Sequence, residues 1–573
     1  MIRIRRRTAG TIRPRTLGVS LAAFVAIVGS SASGRVAMVQ DVAPTPVTDW
    51  RAEVAPDILA SIATPLESVV REEAPRLAAL YAPGGGRALW IDAAGSRTAD
   101  ARATLDLLAA ASDDGLEPAD YDVQALSTLG AGPDAAAPPD RARLAAFDLR
   151  LSAATLRYLR HLHLGRVDPR RLGVRLTEPE PHDFVALLRT ALAGHDVPAL
   201  GERLAPQLPQ YQALRRQLAR YRSIDEPADA AWPMPAHSLH AGDPFAAAGA
   251  LRRRLAALGD LPADVGSAEV AAVYDDALAA AVQRFQARHG LSADGVLGRA
   301  TADALAVPAR MRLRQIELAL ERLRWLPDLG DERVVALNIP MFRLATWDGA
   351  GSAGPSLRMR AIVGKAVITE TPVFTALMRS VIFRPYWNVP RSILLKELLP
   401  ELERDPARMR RFDLEIVDGD RDESAVVPAT PGAFAGLRAG ALRLRQRPGP
   451  ANSLGLVKFD FPNDAGVYMH GTPATELFER SRRDFSHGCV RVEDPALLAV
   501  WALRGEDGWD GARVDAAMRA TTTLRVALSR PIRVILFYTT AAVAEDGTVY
   551  FADDIYGHDA TLARALARLG RPS

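Results

Sequence analysis

Near residue 332 the spacing of apolar residues changes, and a chain with that change cannot be built on one architectural plan. From about 57 to 222, alanine, leucine and arginine recur three and four residues apart, as in "ATLDLLAAASDDGL" and "RARLAAFDLRLSAATLRYLRHLHLGRVDP". That spacing places apolar side chains on one stripe of a helix. Leu144, Phe147, Leu151 and Leu156 would share a face, and Gly165 and Pro169 would end the helix. From about 332 the period is two: "RVVALNIPMFRLATW", "SLRMRAIVGK", "GCVRV" and "IRVILFYTTAAVAEDGTVYFA" alternate and are rich in β-branched residues. A chain of 573 residues exceeds one hydrophobic core. The expected fold class is therefore multidomain α+β, with a helical scaffold first and a mainly β domain last.

Between the halves, 223–243 carries three prolines and reads as a linker. Residues 244–307 follow as a small unit: helix ("AGALRRRLAALG"), helix ("DDALAAAVQRFQARHG"), a turn at Asp294-Gly295, and a last short helix. Gly290 stands where a helix C-cap belongs.

The N-terminus has a basic region, the apolar run "LGVSLAAFVAIVG" (17–29) and small residues at Ser30 and Ala32, the pattern of a secretory signal over 1–32. The run is short for a transmembrane helix, so a membrane association is expected only if the signal stays uncleaved. A polar, Pro-containing tether would occupy 33–56. The formal charge of +3 becomes −3 once the six arginines of 1–32 are removed, which argues against nucleic acid as a partner. The expected location is outside the cytoplasm, in the periplasm or cell envelope.

Exported proteins usually pair their cysteines, yet Cys489 is the only one. It sits in "MHGTPATELFERSRRDFSHGCVRVEDP" (469–495), with His487 two residues before it and His470 nineteen before it. A thiol attacks a carbonyl as thiolate and needs a base in reach, most often histidine. His470 ends the short strand "GVYMH". On an extended segment His487 would share the face of Cys489, and Gly488 would permit a turn presenting N–H groups to an oxyanion. His470, His487 and Cys489 also have the donor types of a zinc site. No acid stands clearly beside them as a catalytic base, however, and no metal or other cofactor is expected. The histidines 161 and 163 would point apart on a helix, which disfavours a metal pair there.

His470-Gly-Thr, a thirteen-residue spacer, and then Ser486-His487-Gly488-Cys489-Val490-Arg491 resemble the signature of the L,D-transpeptidase (YkuD-type) catalytic domain. "GKAVITETPVF", "FRPYWNVPRSI", "RQRPGPANSLGLVKFDFPN" and "DDIYGHD" are similar to its larger periplasmic YcbB-type branch. The 244–307 unit resembles the three-helix peptidoglycan-binding module through Leu251, Leu255, Leu258, Gly259, Ala277, Val282, Phe285, Gln286, His289, Gly290, Leu291, Asp294, Gly295, Gly298 and Thr301. These are mostly core and turn positions, which a copy that no longer binds glycan would also keep.

The resemblance implies a catalytic domain over 310–560, the scaffold and linker over 57–243, and a capping subdomain or lid inserted at 391–447. It implies Cys489 as nucleophile, His470 as general base, and Ser486 and His487 shaping the site, with the Gly488 and Cys489 amides as oxyanion donors. Tyr386, Trp387, Asn388, Tyr468 and Arg491 would bind substrate. Many relatives have His-Asp-Thr where this chain has His-Gly-Thr, which removes a carboxylate near the base. The implied reaction joins two peptidoglycan stem peptides through a cysteine thioester, the donor a tetrapeptide and the acceptor a diaminopimelate amine, giving a 3→3 cross-link. With the same nucleophile, water would give a carboxypeptidase or endopeptidase, a free D-amino acid would give exchange, and a protein lysine would give lipoprotein attachment. A non-catalytic wall-binding protein is the remaining alternative.

Overall fold

The computed structural model describes residues 48–65, 68–129, 140–225, 234–262, 272–349 and 354–569. The signal segment 1–32, and the tether as far as 47, lie outside the described residues. Among those described, no helix is long and apolar enough to cross a membrane.

Helical structure begins earlier than expected. Residues Trp50–Glu53 and Ala55–Ala63 are helices, and the Asp49 carboxylate caps the first by accepting from Arg51 N. The end of the stretch read as tether is therefore part of the scaffold. Its longest helix, α1 (Arg141–Leu164), starts at Asp140, whose side chain accepts from Ala142 N at 3.0 Å. Phe147, Leu151, Leu156, Leu159 and Leu162 are buried. So is Asp148, which is held by the Tyr81 hydroxyl at 2.5 Å and the Trp90 amide at 2.7 Å. A buried carboxylate persists only with such donors, and here they tie α1 to the preceding segment.

Gly165 ends α1 at φ +81°. A Cβ there would lie 2.8 Å from both Glu321 Oε1 and Trp325 Nε1. That close approach lets the Glu321 carboxylate accept from the amides of Arg166 (2.6 Å) and Val167 (3.0 Å).

The small unit contains α2 (Ala248–Leu258), α3 (Asp276–Arg288) and α4 (Arg299–Ala306). Gln286 is its internal staple. Its amide donates to Asp294 Oδ1 (2.9 Å), Val296 O (3.0 Å) and Thr301 Oγ1 (3.0 Å), and its oxygen accepts from Gly295 N (2.8 Å). Asp243–Pro244 pair with Val273–Tyr274, and Leu239 bridges Leu297, so the last residues of the expected linker belong to this unit.

Helix α5 (Ala309–Leu323) leads into the β domain. Its strands are β1 (Val334–Asn338), β2 (Arg343–Trp347), β3 (Leu357–Gly364), β4 (Phe374–Phe383), β5 (Trp387–Asn388), β6 (Leu414–Val417), β7 (Val426–Val427), β8 (Arg443–Gln446), β9 (Val457–Asp460), β10 (Met469–His470), β11 (Asp484–Ser486), β12 (Val490–Val492) and β13 (Leu524–Phe537). The large sheet runs β11-β3-β12-β10-β9-β4-β13-β1-β2, and a further β2–β3 pairing closes it on itself. Its interior packs Val335, Leu337, Val381, Phe383, Val457, Phe459, Met469, Val490, Val492 and Val534. Closure joins eight of the nine strands in a ring and leaves the short β11, paired with β3 alone, as an edge strand.

The insertion is a second sheet, β5-β8-β6-β7, with its own core of Leu394, Leu399, Leu402, Ile416, Phe434, Leu437 and Leu444. Asn452 fastens its root by donating to the carbonyls of Pro385 (3.2 Å) and Arg447 (2.9 Å).

The three parts share one interior. Phe551, in a short ladder after β13, stacks on His289 of the small unit at 5.6 Å and lies edge-on to Tyr221 of the scaffold at 5.4 Å. The Arg312 guanidinium lies 5.1 Å from the same ring.

Candidate active site

Strand register assembles the site. In the β9–β10 pair Lys458 opposes His470, and in the parallel β10–β12 pair His470 opposes Arg491. Partners across a ladder share a face, and alternate residues on one strand share it too. Val457, Phe459, Met469, Val490 and Val492 fill the core, so Lys458, Tyr468, His470, Cys489 and Arg491 are left together on the other face. The alternation V-K-F-D at 457–460 and V-Y-M-H at 467–470 dictates this division.

His470 is buried, and its Nδ1–H donates to Gly471 O at 2.5 Å. A carbonyl can only accept, so Nδ1 carries the proton and Nε2 is the basic nitrogen. Burial, then the charges of Arg491 and Lys458, push its pKa down to about 3. The ring is neutral throughout the physiological range.

Burial pushes the Cys489 thiol above its ordinary value, opposed by Tyr468 through backbone and hydroxyl and by the charges of Lys458 and Arg491. The thiol's hydrogen-bonding neighbour is thus Tyr468. Among the described residues no hydrogen bond joins it to His470, which faces it diagonally across the ladder. The two rings stand 5.6 Å apart, and the Trp387 side chain also reaches the Tyr468 hydroxyl. Lys458 Nζ lies 4.3 Å from the Tyr468 ring centre and pairs with Asp460 at 3.1 Å. Arg491 is half-buried; its Nε has no partner, and among the described residues its guanidinium joins no ion pair.

Several expected residues take other places. His487 does not share the face of Cys489. Gly488 adopts φ +109°, which breaks the extended geometry that same-face reasoning assumes. His487 Nε2 instead meets Glu397 Oε1 of the insertion at 2.8 Å. The Gly488 amide is engaged by Ser486 Oγ at 3.2 Å, so it is not a free oxyanion donor here. The Cys489 amide makes no hydrogen bond among the described residues. Ser486 acts as a brace, its hydroxyl donating to Cys489 O at 2.5 Å. Tyr386 lies under the Arg445 guanidinium at 4.2 Å, toward the insertion. Asn388 is exposed on β5, paired with Arg445. Of that triplet Trp387 alone is drawn to the thiol through Tyr468.

Four contributors escaped sequence reasoning. Thr371 Oγ1 donates to Gly488 O (2.9 Å) and accepts from Gly364 N (2.8 Å). Tyr556 donates to Gly364 O at 2.6 Å, bringing "DDIYGHD" behind the motif loop. Glu397 and Lys458 are the others. Only Lys458 had a local sign, as a cation on a strand face opposite two core residues.

The site therefore holds a lone thiol and a neutral histidine on one sheet face, flanked by Lys458 and Arg491 and backed by a braced loop. Residues 332–515 match the L,D-transpeptidase catalytic domain, YkuD. Residues 75–218 match a scaffold domain, and 246–305 match a family described as "Putative peptidoglycan binding domain". Over these stretches the chain is similar to an L,D-transpeptidase catalytic domain of the YkuD family, preceded by matches to a scaffold domain and a putative peptidoglycan-binding domain. A Haemophilus influenzae protein described as "Putative L,D-transpeptidase" is 31% identical over 246 residues, 43% of this chain and 48% of that protein. The chain thus spans about half the length of that relative. A crystal structure of the L,D-transpeptidase from Xylanimonas cellulosilytica is 18% identical, covering 55% of this chain and all of the other, with a TM-score of 0.16.

Proposed function

We propose that this protein is an exported L,D-transpeptidase that forms 3→3 cross-links between diaminopimelate residues of peptidoglycan stem peptides, working in the cell envelope. The observation that carries this reading is that the only cysteine shares a sheet face with His470, Lys458, Tyr468 and Arg491, inside the stretch that matches the catalytic-domain family.

Cys489 Sγ attacks the carbonyl of the diaminopimelate at position 3 of a tetrapeptide stem as His470 Nε2 takes the thiol proton. Both groups are neutral at rest, so the proton moves as the sulfur–carbon bond forms. The Cys489 amide stabilises the oxyanion. The C–N bond to the terminal D-Ala breaks, its nitrogen receives the proton from His470, and a thioester remains. The diaminopimelate amine of a second stem then attacks the thioester. A C–N bond forms, the C–S bond breaks, and the proton passes through His470 to the sulfur. Arg491, which joins no ion pair among the described residues, suits a stem-peptide carboxylate.

The insertion acts as a lid tied to the motif through Glu397 and His487, excluding water that would hydrolyse the thioester. The 244–307 unit holds glycan near the site. Incubating the protein and Cys489→Ala with disaccharide-tetrapeptide and weighing the products tests the reading. A dimer lacking one alanine, absent with the variant, is the expected result, and tripeptide monomer alone would identify a hydrolase instead.

A further inference from the structure

After β3 the chain turns through Lys365–Glu370, and this loop clamps the strand that carries the motif. Lys365 N and Thr369 Oγ1 both donate to Ser486 O at 3.0 Å. Val367 is held at φ +69°, a conformation that β-branched residues avoid. Its side chain is 91% exposed and that of Ile368 is 76% exposed. Strain of this kind persists where surrounding structure imposes it and gathers at sites that bind.

Beside the loop lies an open groove of about 530 Å³, lined by Lys365, Ala366, Arg480, Arg482, Asp484 and Phe485. That volume falls in the range of ligand sites. Arg482 neutralises Asp484 with two hydrogen bonds, at 2.7 and 2.9 Å. The Glu370 carboxylate is engaged by its own loop and by His558: Oε1 accepts from Val367 N at 3.4 Å and Oε2 lies 3.6 Å from His558 Nε2. Lys365 and Arg480 form no ion pair among the described residues, so the groove presents two uncompensated cations beside an apolar lip.

We infer that this groove is the acceptor site: it binds the second stem peptide through that peptide's free carboxylates, with Val367 and Ile368 against its alanine methyl groups. The inference rests on the transpeptidase reading above. Charge complementarity selects the occupant, because a stem peptide carries the carboxylates of glutamate and diaminopimelate together with small apolar side chains. Reach agrees. Phe485 precedes Cys489 by four residues, so their Cα atoms are at most about 14 Å apart, within the span of a tripeptide and its long diaminopimelate arm. The flanks are also distinct. His487 turns to the insertion, whereas the side of Gly488 where a Cβ would stand faces Thr369 O at 3.7 Å and Glu370 O at 3.8 Å. Donor and acceptor can therefore approach Cys489 from opposite sides. Cations near the entering amine also disfavour its protonated, unreactive form.

The test is steady-state transpeptidation with donor tetrapeptide and acceptor tripeptide varied independently, comparing the full protein with K365Q/R480Q and K365R/R480K. The half-saturating acceptor concentration is expected to rise at least tenfold in the first variant. That rise should exceed any change for the donor by fivefold or more, and the second variant should restore wild-type behaviour. Equal changes for both substrates, or none for the acceptor, would overturn the inference. A binding arm separates this outcome from failure of the transpeptidase reading. Cys489→Ala, which cannot be acylated, is titrated with tripeptide stem with and without K365Q/R480Q. Weakening of at least fivefold supports the groove even if the wild-type protein makes no thioester, and identical binding rejects it.

Discussion

The resting ionisation of the site can be tested without any substrate. With His470 pushed down to about 3 and the Cys489 thiol pushed up by burial, the free protein holds a thiol and a neutral imidazole, not a thiolate–imidazolium pair. An unperturbed thiol titrates near 8.5, so at pH 7 about 3% of it would be thiolate, and the upward shift lowers that fraction. Iodoacetamide reacts with thiolate alone and makes no demand on a base that recognises substrate. Its rate with Cys489, followed by intact-protein mass, should climb about tenfold per pH unit between pH 6 and 8. At pH 7 it should lie below about 3% of its alkaline plateau. The sign follows from burial, which penalises the charged thiolate and the charged imidazolium alike. A rate flat between pH 5 and 8 would refute the reasoning, because it would require an ion pair already formed at low pH.

Three further outcomes follow from contacts described above. Thr371→Val keeps the shape of the side chain but strands the Gly364 amide and Gly488 carbonyl, at about 1–3 kcal/mol for each buried group; acylation should slow at least tenfold, and a change within twofold would show that the brace does not position the thiol. Glu397→Gln removes the carboxylate from a partly exposed hydrogen bond to His487, worth about 1 kcal/mol or less; the ratio of transfer to hydrolysis should fall twofold to fivefold with the melting temperature unchanged, and an unaltered ratio would remove the lid role. Phe551→Ala empties the junction shared by His289, Tyr221 and Arg312, at about 3–5 kcal/mol; limited proteolysis should then release the scaffold and small unit from the β domain, whereas intact resistance would mean that the junction is held elsewhere.

What was legible in the sequence was what local pattern encodes. Alternation in V-K-F-D and V-Y-M-H separates core from site, and the period change at 332 separates helical from β architecture. Asp294-Gly295 and Gln286 mark the small unit because its turn and its staple lie within a few residues of each other. The errors came where side-chain direction depends on one torsion or on a distant segment. Gly488 at φ +109° turned His487 away from Cys489, and the same turn gave the Gly488 amide to Ser486. Glu397 meets His487 across 90 residues, and Tyr556 braces Gly364 across 192, so neither pairing leaves a trace in local spacing. The helix at Trp50 was hidden because its cap, Asp49, sits in a stretch otherwise rich in small and proline residues.

The central claim is that Cys489 carries the acyl group, and intact-protein mass spectrometry after brief exposure to a tetrapeptide stem tests it most directly. The account predicts an adduct equal in mass to the stem less its terminal D-Ala, mapped to Cys489, discharged by an acceptor amine and absent in Cys489→Ala. An adduct on another residue, or unchanged product formation by Cys489→Ala, would contradict it.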